Sequence, residues 1–236
     1  MDLEVKGFIE TSFVDWDGHI VSVLFLPYCN FKCPFCHNAG LVENSQNYQT
    51  IPLDKIEKFL LSHKDFIDGV CITGGEPCLH HDKGLLPFLT KIKGFGFKVK
   101  FDTNGNLPEF LKELIDNKDV DFIAMDIKGP LDKRYDKLSG VETDLEKVKK
   151  SIKMIMDSGI PYEFRTTVVP NLLNAEDVID IAKFISGSKK FVIQQFISQN
   201  SWDASLREIK PYQKEELEAI ASECKKFVPN TILRGV

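Results

Sequence analysis

The stretch Cys29-Asn-Phe-Lys-Cys33-Pro-Phe-Cys36 places three cysteines close together, just after the apolar run His19–Leu26. Three and then two residues separate these cysteines, a spacing that brings three thiolates to one iron–sulfur cluster. A cubane cluster has four iron corners, so three protein ligands leave one corner open to a small molecule. Pro34 disfavours a regular helix through this segment and therefore favours an irregular loop.

A structural zinc site, with His37 as the fourth ligand, is the alternative interpretation of this loop. Three cysteines and one histidine are a legitimate zinc ligand set. However, His37 directly follows Cys36, and adjacent ligands are sterically awkward around a tetrahedral ion. Zinc motifs also favour two separated pairs of ligands. The spacing therefore favours an iron–sulfur cluster.

Length and composition indicate one globular protein. The chain has 236 residues, 43% of them hydrophobic, and no linker or low-complexity segment divides it; we expect a single domain over residues 1–236. A net charge of −5 does not indicate a nucleic-acid partner, which usually requires a basic excess. No secretory signal is visible, and no apolar run approaches the ~18 residues of a membrane span. We therefore expect a cytoplasmic protein with no membrane partner.

In the cytoplasm, closely spaced cysteines indicate metal binding or catalysis rather than disulfides. The chain has three further cysteines, Cys71, Cys78 and Cys224, and they lack the spacing of a second metal motif. We predict structural roles for them, although Cys78 follows a Gly-Gly-Glu-Pro turn and could lie near a site.

Strand-like and helix-like segments alternate along the chain in about six units. This alternation predicts an α/β fold with a parallel sheet inside and helices outside. The periodicity does not decide whether the sheet lies open or curls. In parallel barrels the active groups lie at the C-terminal ends of the strands. The remaining motifs follow predicted strands, so we expect them at that end of the sheet.

The segment Cys71-Ile-Thr-Gly74-Gly75-Glu76-Pro77 follows one such strand. Two glycines there let the backbone approach a ligand closely, and Glu76 adds an acceptor for an ammonium group. A lone Gly-Gly is usually only a turn, so this motif gains weight from its position one strand–helix unit after the cysteine loop.

Three further polar groups follow later strands. Asp102 and Thr103 precede Asn104-Gly105, where they could merely cap the next helix. Asp126 and Lys128 form a charged pair at the end of a buried strand, which is costly unless the pair is used. Arg165 lies within an apolar strand and suggests a carboxylate fork, with Glu163 on the same face as an internal competitor.

Together these motifs resemble the radical S-adenosylmethionine (SAM) superfamily. The cysteine and glycine motifs are specific to the superfamily. The lead segment Trp16-Asp17-Gly18, with the Asp-Thr-Asn-Gly and Asp-Ile-Lys elements, resembles its glycyl-radical-enzyme activases. The greatest similarity is to the activating component of anaerobic ribonucleoside-triphosphate reductase. The resemblance implies a partial (β/α)6 barrel, open on one side.

The resemblance also implies the cofactors and their contacts. A [4Fe–4S] cluster would be held by Cys29, Cys33 and Cys36. SAM would bind with its adenine against Phe35. Its methionine end would be held by Gly74, Gly75 and Glu76, and its carboxylate and ribose would lie near Lys128 and Arg165. Three further side chains would help to place SAM: Asp102, Thr103 and Asp126. In some activases such side chains act through a bound monovalent cation.

In activases, one electron from the reduced cluster cleaves SAM to methionine and a 5′-deoxyadenosyl radical, which takes a hydrogen atom from a glycine of a partner enzyme. The resemblance thus implies an oxidoreductase that acts on a glycyl radical enzyme, with anaerobic ribonucleoside-triphosphate reductase as the expected partner. A flavodoxin- or ferredoxin-type protein would donate the electron. One departure is that Val192–Ser198 lacks the histidine that related activases carry near the end of the sixth strand.

Two other functions remain open from the sequence. A radical SAM enzyme that acts on a small molecule, such as a deazapurine carboxylate synthase, would share the cluster chemistry. A zinc or electron-carrier protein without turnover would use the cysteines alone.

Overall fold

The computed structural model describes residues 2–236, in which strands and helices alternate. The strands are β1 (Gly7–Ser12), β2 (Val21–Leu26), β3 (Gly69–Gly74), β4 (Lys98–Thr103), β5 (Phe122–Asp126), β6 (Tyr162–Val168), β7 (Phe191–Gln195) and β8 (Thr231–Arg234). The helices are α1 (Ala39–Glu43), α2 (Leu53–Ser62), α3 (Leu85–Gly94), α4 (Pro108–Asp116), α5 (Tyr135–Ser139), α6 (Leu145–Asp157), α7 (Ala175–Phe184) and α8 (Lys214–Cys224). None of the helices in these residues is long and apolar enough to cross a membrane.

The strands form one sheet in chain order. β1 pairs antiparallel with β2, whereas β2, β3 and β4 pair parallel. β6, β7 and β8 also pair parallel. The α/β fold with a largely parallel sheet, which the alternation of the sequence predicts, is therefore confirmed.

Local sequence explains where the elements begin. β2 reads Val-Ser-Val-Leu-Phe-Leu and is buried along nearly all its length, as a strand covered on both faces should be. α7 begins at a capping box, in which the Asn174 side chain accepts from the Asp177 N–H and the Asp177 side chain accepts from the Asn174 N–H. Pro108 occupies the first position of α4, where its missing N–H costs no hydrogen bond.

The described chain forms two compact units. The first comprises the chain up to Asn30 with Gly40–Thr103 and Leu107–Ile123, and the second comprises Phe31–Ala39, Asn104–Asn106 and Ala124–Val236. The single domain over residues 1–236 that the sequence suggests stays a prediction.

Each unit has its own buried apolar groups. In the first unit a cluster packs beside the partly buried Phe25 and Phe122, and its buried members are Trp16, Val21, Val23 and Cys71. In the second unit the rings of Phe164 and Phe191 are fully buried on neighbouring strands. Burying a side chain of this size stabilises the fold by about 1.5–3 kcal/mol.

A buried carboxylate in the second unit binds two cations. Glu163, on β6, is only 2% exposed. Arg234 donates from Nη1 to Oε1 at 2.8 Å and from Nη2 to Oε2 at 3.1 Å, and Lys190 Nζ lies 3.0 Å from Oε2. Burial alone would raise the pKa of Glu163, but Arg234 above all outweighs burial and holds this pKa below its ordinary value. Glu163 is therefore ionised and links β6 to β8.

Glu163→Gln tests this ion pair. A lowered pKa stabilises the fold above the unfolded pKa of about 4.3, and the stabilisation disappears as the pH falls through the folded pKa. At pH 7 the substitution should lower the free energy of unfolding by about 2 kcal/mol, because it leaves two partly exposed cations without their buried partner charge. As the pH falls below the unfolded pKa, the difference from wild type should shrink, because the unfolded state then binds the proton more readily than the folded state. Urea unfolding at pH 7 and at a series of lower pH values measures this change.

Asp157→Asn is the matched control, because Asp157 pairs with Lys153 on the surface, where the two side chains are 66% and 81% exposed. It should change the free energy of unfolding by less than about 0.5 kcal/mol. Equal losses in the two variants, or a Glu163→Gln loss that does not vary with pH, would contradict the assignment.

Candidate active site

The glycine motif lies directly against the chain that leads into the first cysteine. Gly75 N–H donates to the Leu26 carbonyl at 2.9 Å, and Glu76 N–H donates to the Tyr28 carbonyl at 2.8 Å. These bonds continue the parallel pairing of β2 with β3 beyond the ends of both strands. Cys29 follows immediately and is partly exposed. The first unit thus ties Gly75 and Glu76 to the start of the cysteine loop.

Only glycine fits at positions 74 and 75. Gly74 has φ +115°, and a Cβ there would overlap the Leu26 backbone. A Cβ on Gly75 would overlap the carbonyl oxygen of Tyr28. The two glycines therefore allow the close approach of the two backbone segments that the hydrogen bonds require.

Glu76 belongs to a buried polar group at the ends of β3 and β4. Its side chain is buried at 1% exposure, and Oε1 accepts from the Thr103 hydroxyl at 2.8 Å and from the Cys78 N–H at 3.0 Å. Cys78 Sγ lies 3.6 Å from the Thr103 hydroxyl. Burial first, and then the charge of Glu76, raise the pKa of the Cys78 thiol well above its ordinary value. Glu76 and Thr103, both predicted from the sequence as SAM contacts, therefore meet, and Cys78 does lie beside them.

Asp102 lies in a second polar group of the same unit. Its carboxylate forms an ion pair with the Lys100 ammonium, and Oδ2 accepts from the Thr73 hydroxyl at 3.2 Å. Lys100 Nζ also lies 3.5 Å from Cys71 Sγ. The carboxylate is thus held by side chains of β3 and β4. Cys71, for which the sequence suggests a structural role, is buried in this group.

Backbone hydrogen bonds hold the part of the cysteine loop that lies in the second unit. Lys32 N–H donates to the Ser139 carbonyl at 2.7 Å, and the Pro34 carbonyl accepts from the Asp203 N–H at 2.8 Å. Cys36 N–H donates to the Cys33 carbonyl at 3.0 Å and closes a tight turn between these two cysteines. The loop is therefore irregular, as Pro34 suggests, and its conformation is set by the segments around it.

The thiols of this loop lie in surroundings that oppose ionisation. Burial raises the pKa of the Cys33 thiol to about 11, against the ammonium of Lys128, which lowers it. Burial also raises the pKa of Cys36. Such thiols become thiolates at neutral pH when a metal replaces the proton. Cys29, Cys33 and Cys36 are all free of disulfides, and three thiols in one short loop are a donor set that fits an iron–sulfur cluster.

Asp126, Lys128 and Arg165 come together in the second unit. Arg165 on β6 donates from Nε to Asp126 Oδ1 at 2.8 Å and from Nη2 to Oδ2 at 3.2 Å. Lys128 Nζ lies 3.3 Å from Oδ2. Burial opposes the ionisation of Asp126, but Arg165 and Lys128 prevail and hold its pKa well below the ordinary value. The group therefore brings one ionised carboxylate together with two cations.

Arg165 does not pair with Glu163, the competitor that the sequence suggests. Glu163 lies on the same face of β6 but pairs with Arg234 and Lys190, which leaves Arg165 to Asp126. The sequence brings Arg165 and Asp126 to the same end of the sheet, but it does not pair them.

His37 and Phe35 complete the loop. His37 Nε2 lies 2.8 Å from the Ile197 carbonyl, and therefore donates its ring N–H to a backbone oxygen just after β7. Phe35, the predicted adenine contact, is buried at 8% exposure.

In the strand that lacks the expected histidine, Gln195 donates from Nε2 to the Tyr212 carbonyl at 2.7 Å.

Two side chains at these sites escape prediction from the sequence. His80 is fully buried, and its Nε2 lies 2.8 Å from the Pro27 carbonyl, so it fixes the chain two residues before Cys29. Lys100 supplies the cation that faces Asp102. Of these two residues, only Lys100 could have been found from the sequence. It lies between two apolar residues in the middle of a strand, a pattern that indicates an unusual buried charge.

Gly75→Ala tests the close approach of the glycine motif. The new Cβ would push the segment away from Tyr28 and break its hydrogen bonds, so the free energy of unfolding should fall by about 2–3 kcal/mol. Gly94→Ala is the control, because Gly94 ends α3 with open space around its Cα. It should be neutral or stabilise by up to about 1 kcal/mol. Urea unfolding of both variants measures the contrast, and similar losses would contradict the packing described.

Comparisons with known proteins identify the family of this chain. The model of the radical SAM superfamily matches residues 23–185. The chain is 33% identical over 238 residues to MJ1227 of Methanocaldococcus jannaschii, which is named as a candidate glycyl-radical enzyme activating enzyme, and the match covers 98% of this chain and 96% of that protein.

Two solved structures share the fold. A domain of the pyruvate-formate lyase-activating enzyme from Bacteroides vulgatus has a TM-score of 0.58 at 17% identity, covering 71% of this chain and 99% of that one. SuiB from Streptococcus suis, bound to S-adenosylmethionine, has a TM-score of 0.64 at 19% identity, covering 90% of this chain and 48% of that one. These structures confirm the predicted fold class. The family model and the match to MJ1227 confirm the predicted enzyme class. The chain belongs to the radical SAM superfamily, whose members are expected to bind a [4Fe–4S] cluster and SAM.

Proposed function

We propose that this protein is a glycyl-radical-enzyme activating enzyme, in which Cys29, Cys33 and Cys36 hold a [4Fe–4S] cluster and SAM binds the remaining iron. The observation that carries the proposal is the pair of hydrogen bonds from Gly75 and Glu76 to the residues just before Cys29. They join a ligand-binding glycine motif to the loop that supplies the cluster ligands. The relative that matches the whole chain supports the activase assignment.

The three cysteines serve as the only protein ligands of the cluster. When bound and reduced, the cluster supplies the single electron that cleaves SAM. Buried thiols bind iron with release of their protons, and the closed turn from Cys33 to Cys36 fixes two of the sulfurs relative to each other.

The glycine motif binds the methionine end of SAM. Gly74 and Gly75 let this segment pack against the chain that leads into Cys29, and the Glu76 carboxylate accepts from the amino group. Because Thr103 and the Cys78 N–H already hold Glu76 Oε1, the carboxylate is preorganised and loses little side-chain entropy when the ligand binds.

Further side chains bind the rest of SAM. Lys128 and Arg165 donate to the carboxylate and the ribose hydroxyls, and Asp126 holds both cations in place. Phe35 packs against the adenine. Asp102, Thr103 and Asp126 act as acceptors that place SAM. The monovalent cation of some activases is less needed here, because Lys100 pairs with Asp102 and Arg165 pairs with Asp126.

The partner is a glycyl radical enzyme, and anaerobic ribonucleoside-triphosphate reductase is the first candidate. The products are methionine, 5′-deoxyadenosine and a glycyl radical on the partner. A flavodoxin- or ferredoxin-type protein donates the electron. Thiols that must stay reduced to bind iron suit a cytoplasmic location.

The test is electron paramagnetic resonance of the anaerobically reconstituted protein, mixed with SAM, a reductant and the anaerobic ribonucleoside-triphosphate reductase of the same genome. A glycyl-radical signal should appear together with an equivalent amount of 5′-deoxyadenosine. Cys33→Ala should abolish both, with at least a 100-fold loss of 5′-deoxyadenosine. Cys224→Ala is the control, because the buried Cys224 donates only to the Val178 carbonyl, and it should retain both.

The other functions predict different outcomes. A small-molecule enzyme would yield 5′-deoxyadenosine but no glycyl radical on any glycyl radical enzyme tested. A zinc or electron-carrier protein would yield neither. Full cleavage of SAM by Cys33→Ala would refute the cluster assignment itself.

A further inference from the structure

Lys100 is a buried lysine in the middle of a parallel strand. It is 3% exposed, whereas Lys98, two residues earlier on β4, is exposed. In the register of the sheet Val23 faces Cys71, and Cys71 faces Lys100. Lys100 thus lies in a row of the sheet that is otherwise apolar.

The surroundings of this row make an ammonium group costly. Cys71 and Val23 belong to the apolar cluster with Trp16 and Val21. A buried charge is stable in such surroundings only when it is paired and hydrogen-bonded. An apolar residue at position 100 would pack better in this layer. Packing within the layer therefore does not explain why a lysine occupies the position.

The partner of Lys100 lies one layer nearer to the C-terminal ends of the strands. Phe25 faces Thr73 there, and Asp102 is two residues beyond Lys100, on the same face of β4. Lys100 pairs with the Asp102 carboxylate, whose other oxygen accepts from the Thr73 hydroxyl. Both oxygens of Asp102 are therefore oriented by side chains, one layer below Gly74.

We propose that Lys100 is a positioning residue whose ammonium is a built-in counter-ion for Asp102, so that this carboxylate is held ready for SAM without any free cation. The effect on SAM binding rests on the proposed function. The ion pair between Lys100 and Asp102, and its stability without a free cation, do not rest on it. Tethering the cation to the strand fixes its distance from Asp102 and spares the entropy of capturing a free ion.

The test compares three variants of the full chain with wild type: Lys100→Met, Lys98→Met and the double variant Lys100→Met/Asp102→Asn. Melting temperatures are measured in potassium chloride and in N-methylglucamine chloride. SAM dissociation constants are then measured by equilibrium dialysis of the anaerobically reconstituted proteins.

Wild type and Lys98→Met should melt at the same temperature, within about 2 °C, in both salts. Lys100→Met should melt about 10 °C lower, because it leaves the largely buried Asp102 carboxylate without its counter-ion. The double variant should recover most of this loss, since replacing both partners removes the unpaired charge.

The SAM measurement separates positioning from a purely structural role. In both variants that lack Lys100, SAM should bind at least ten-fold more weakly, although the double variant has regained its stability. If the affinity for SAM recovers together with the melting temperature, the ion pair is only structural and the proposal is wrong.

Three other results would also overturn the proposal. One is a wild-type melting temperature that falls when potassium is replaced, which would mean that a free cation is required. Another is a melting temperature of Lys100→Met that equals the melting temperature of Lys98→Met. The third is a double variant that fails to fold, since the neutral pair should be tolerated. Absence of SAM binding in wild type would refute the proposed function instead, while the melting temperatures would still decide the ion pair.

Discussion

Hydrogen bonds to the backbone of the cysteine loop are the interactions on which the rest of the site depends. An irregular loop exposes N–H and C=O groups that must find partners. In the first unit Gly75, Glu76 and the His80 ring supply partners for the chain just before Cys29. In the second unit Ser139 and Asp203 do the same on either side of Cys33. The same contacts that satisfy the backbone also determine where the thiols can lie.

A second constraint is the charge balance at the ends of the strands. Each of the acidic side chains discussed on β4, β5 and β6 has a basic partner within its own unit: Asp102 with Lys100, Asp126 with Arg165 and Lys128, and Glu163 with Arg234 and Lys190. The pairs at Asp126 and Glu163 hold the pKa values of these two carboxylates below their ordinary values, although burial alone would raise them. Within each unit, the charged side chains are therefore already oriented by their partners.

The sequence predicts those features that short segments determine. The cysteine spacing, the glycine pair and the alternation of strands and helices each depend on neighbouring residues, and all of them lead to the correct fold class. Partners far apart in the chain are not predictable in this way. His80 and the Pro27 carbonyl are separated by 53 residues. The sequence suggests Glu163 as the internal competitor for Arg165, but Glu163 pairs with Arg234 on β8 and Arg165 pairs with Asp126. The burial of Lys100 depends on the register of three strands.

Mössbauer spectroscopy of the anaerobically reconstituted, iron-57-labelled protein, with and without SAM, tests the central claim most directly. Three cysteine ligands should give a [4Fe–4S] cluster in which SAM changes the signal of one iron out of four, because only the iron without a protein ligand can bind it. A cluster whose four irons stay unchanged when SAM is added, or a protein that takes up zinc and no iron, would contradict this account.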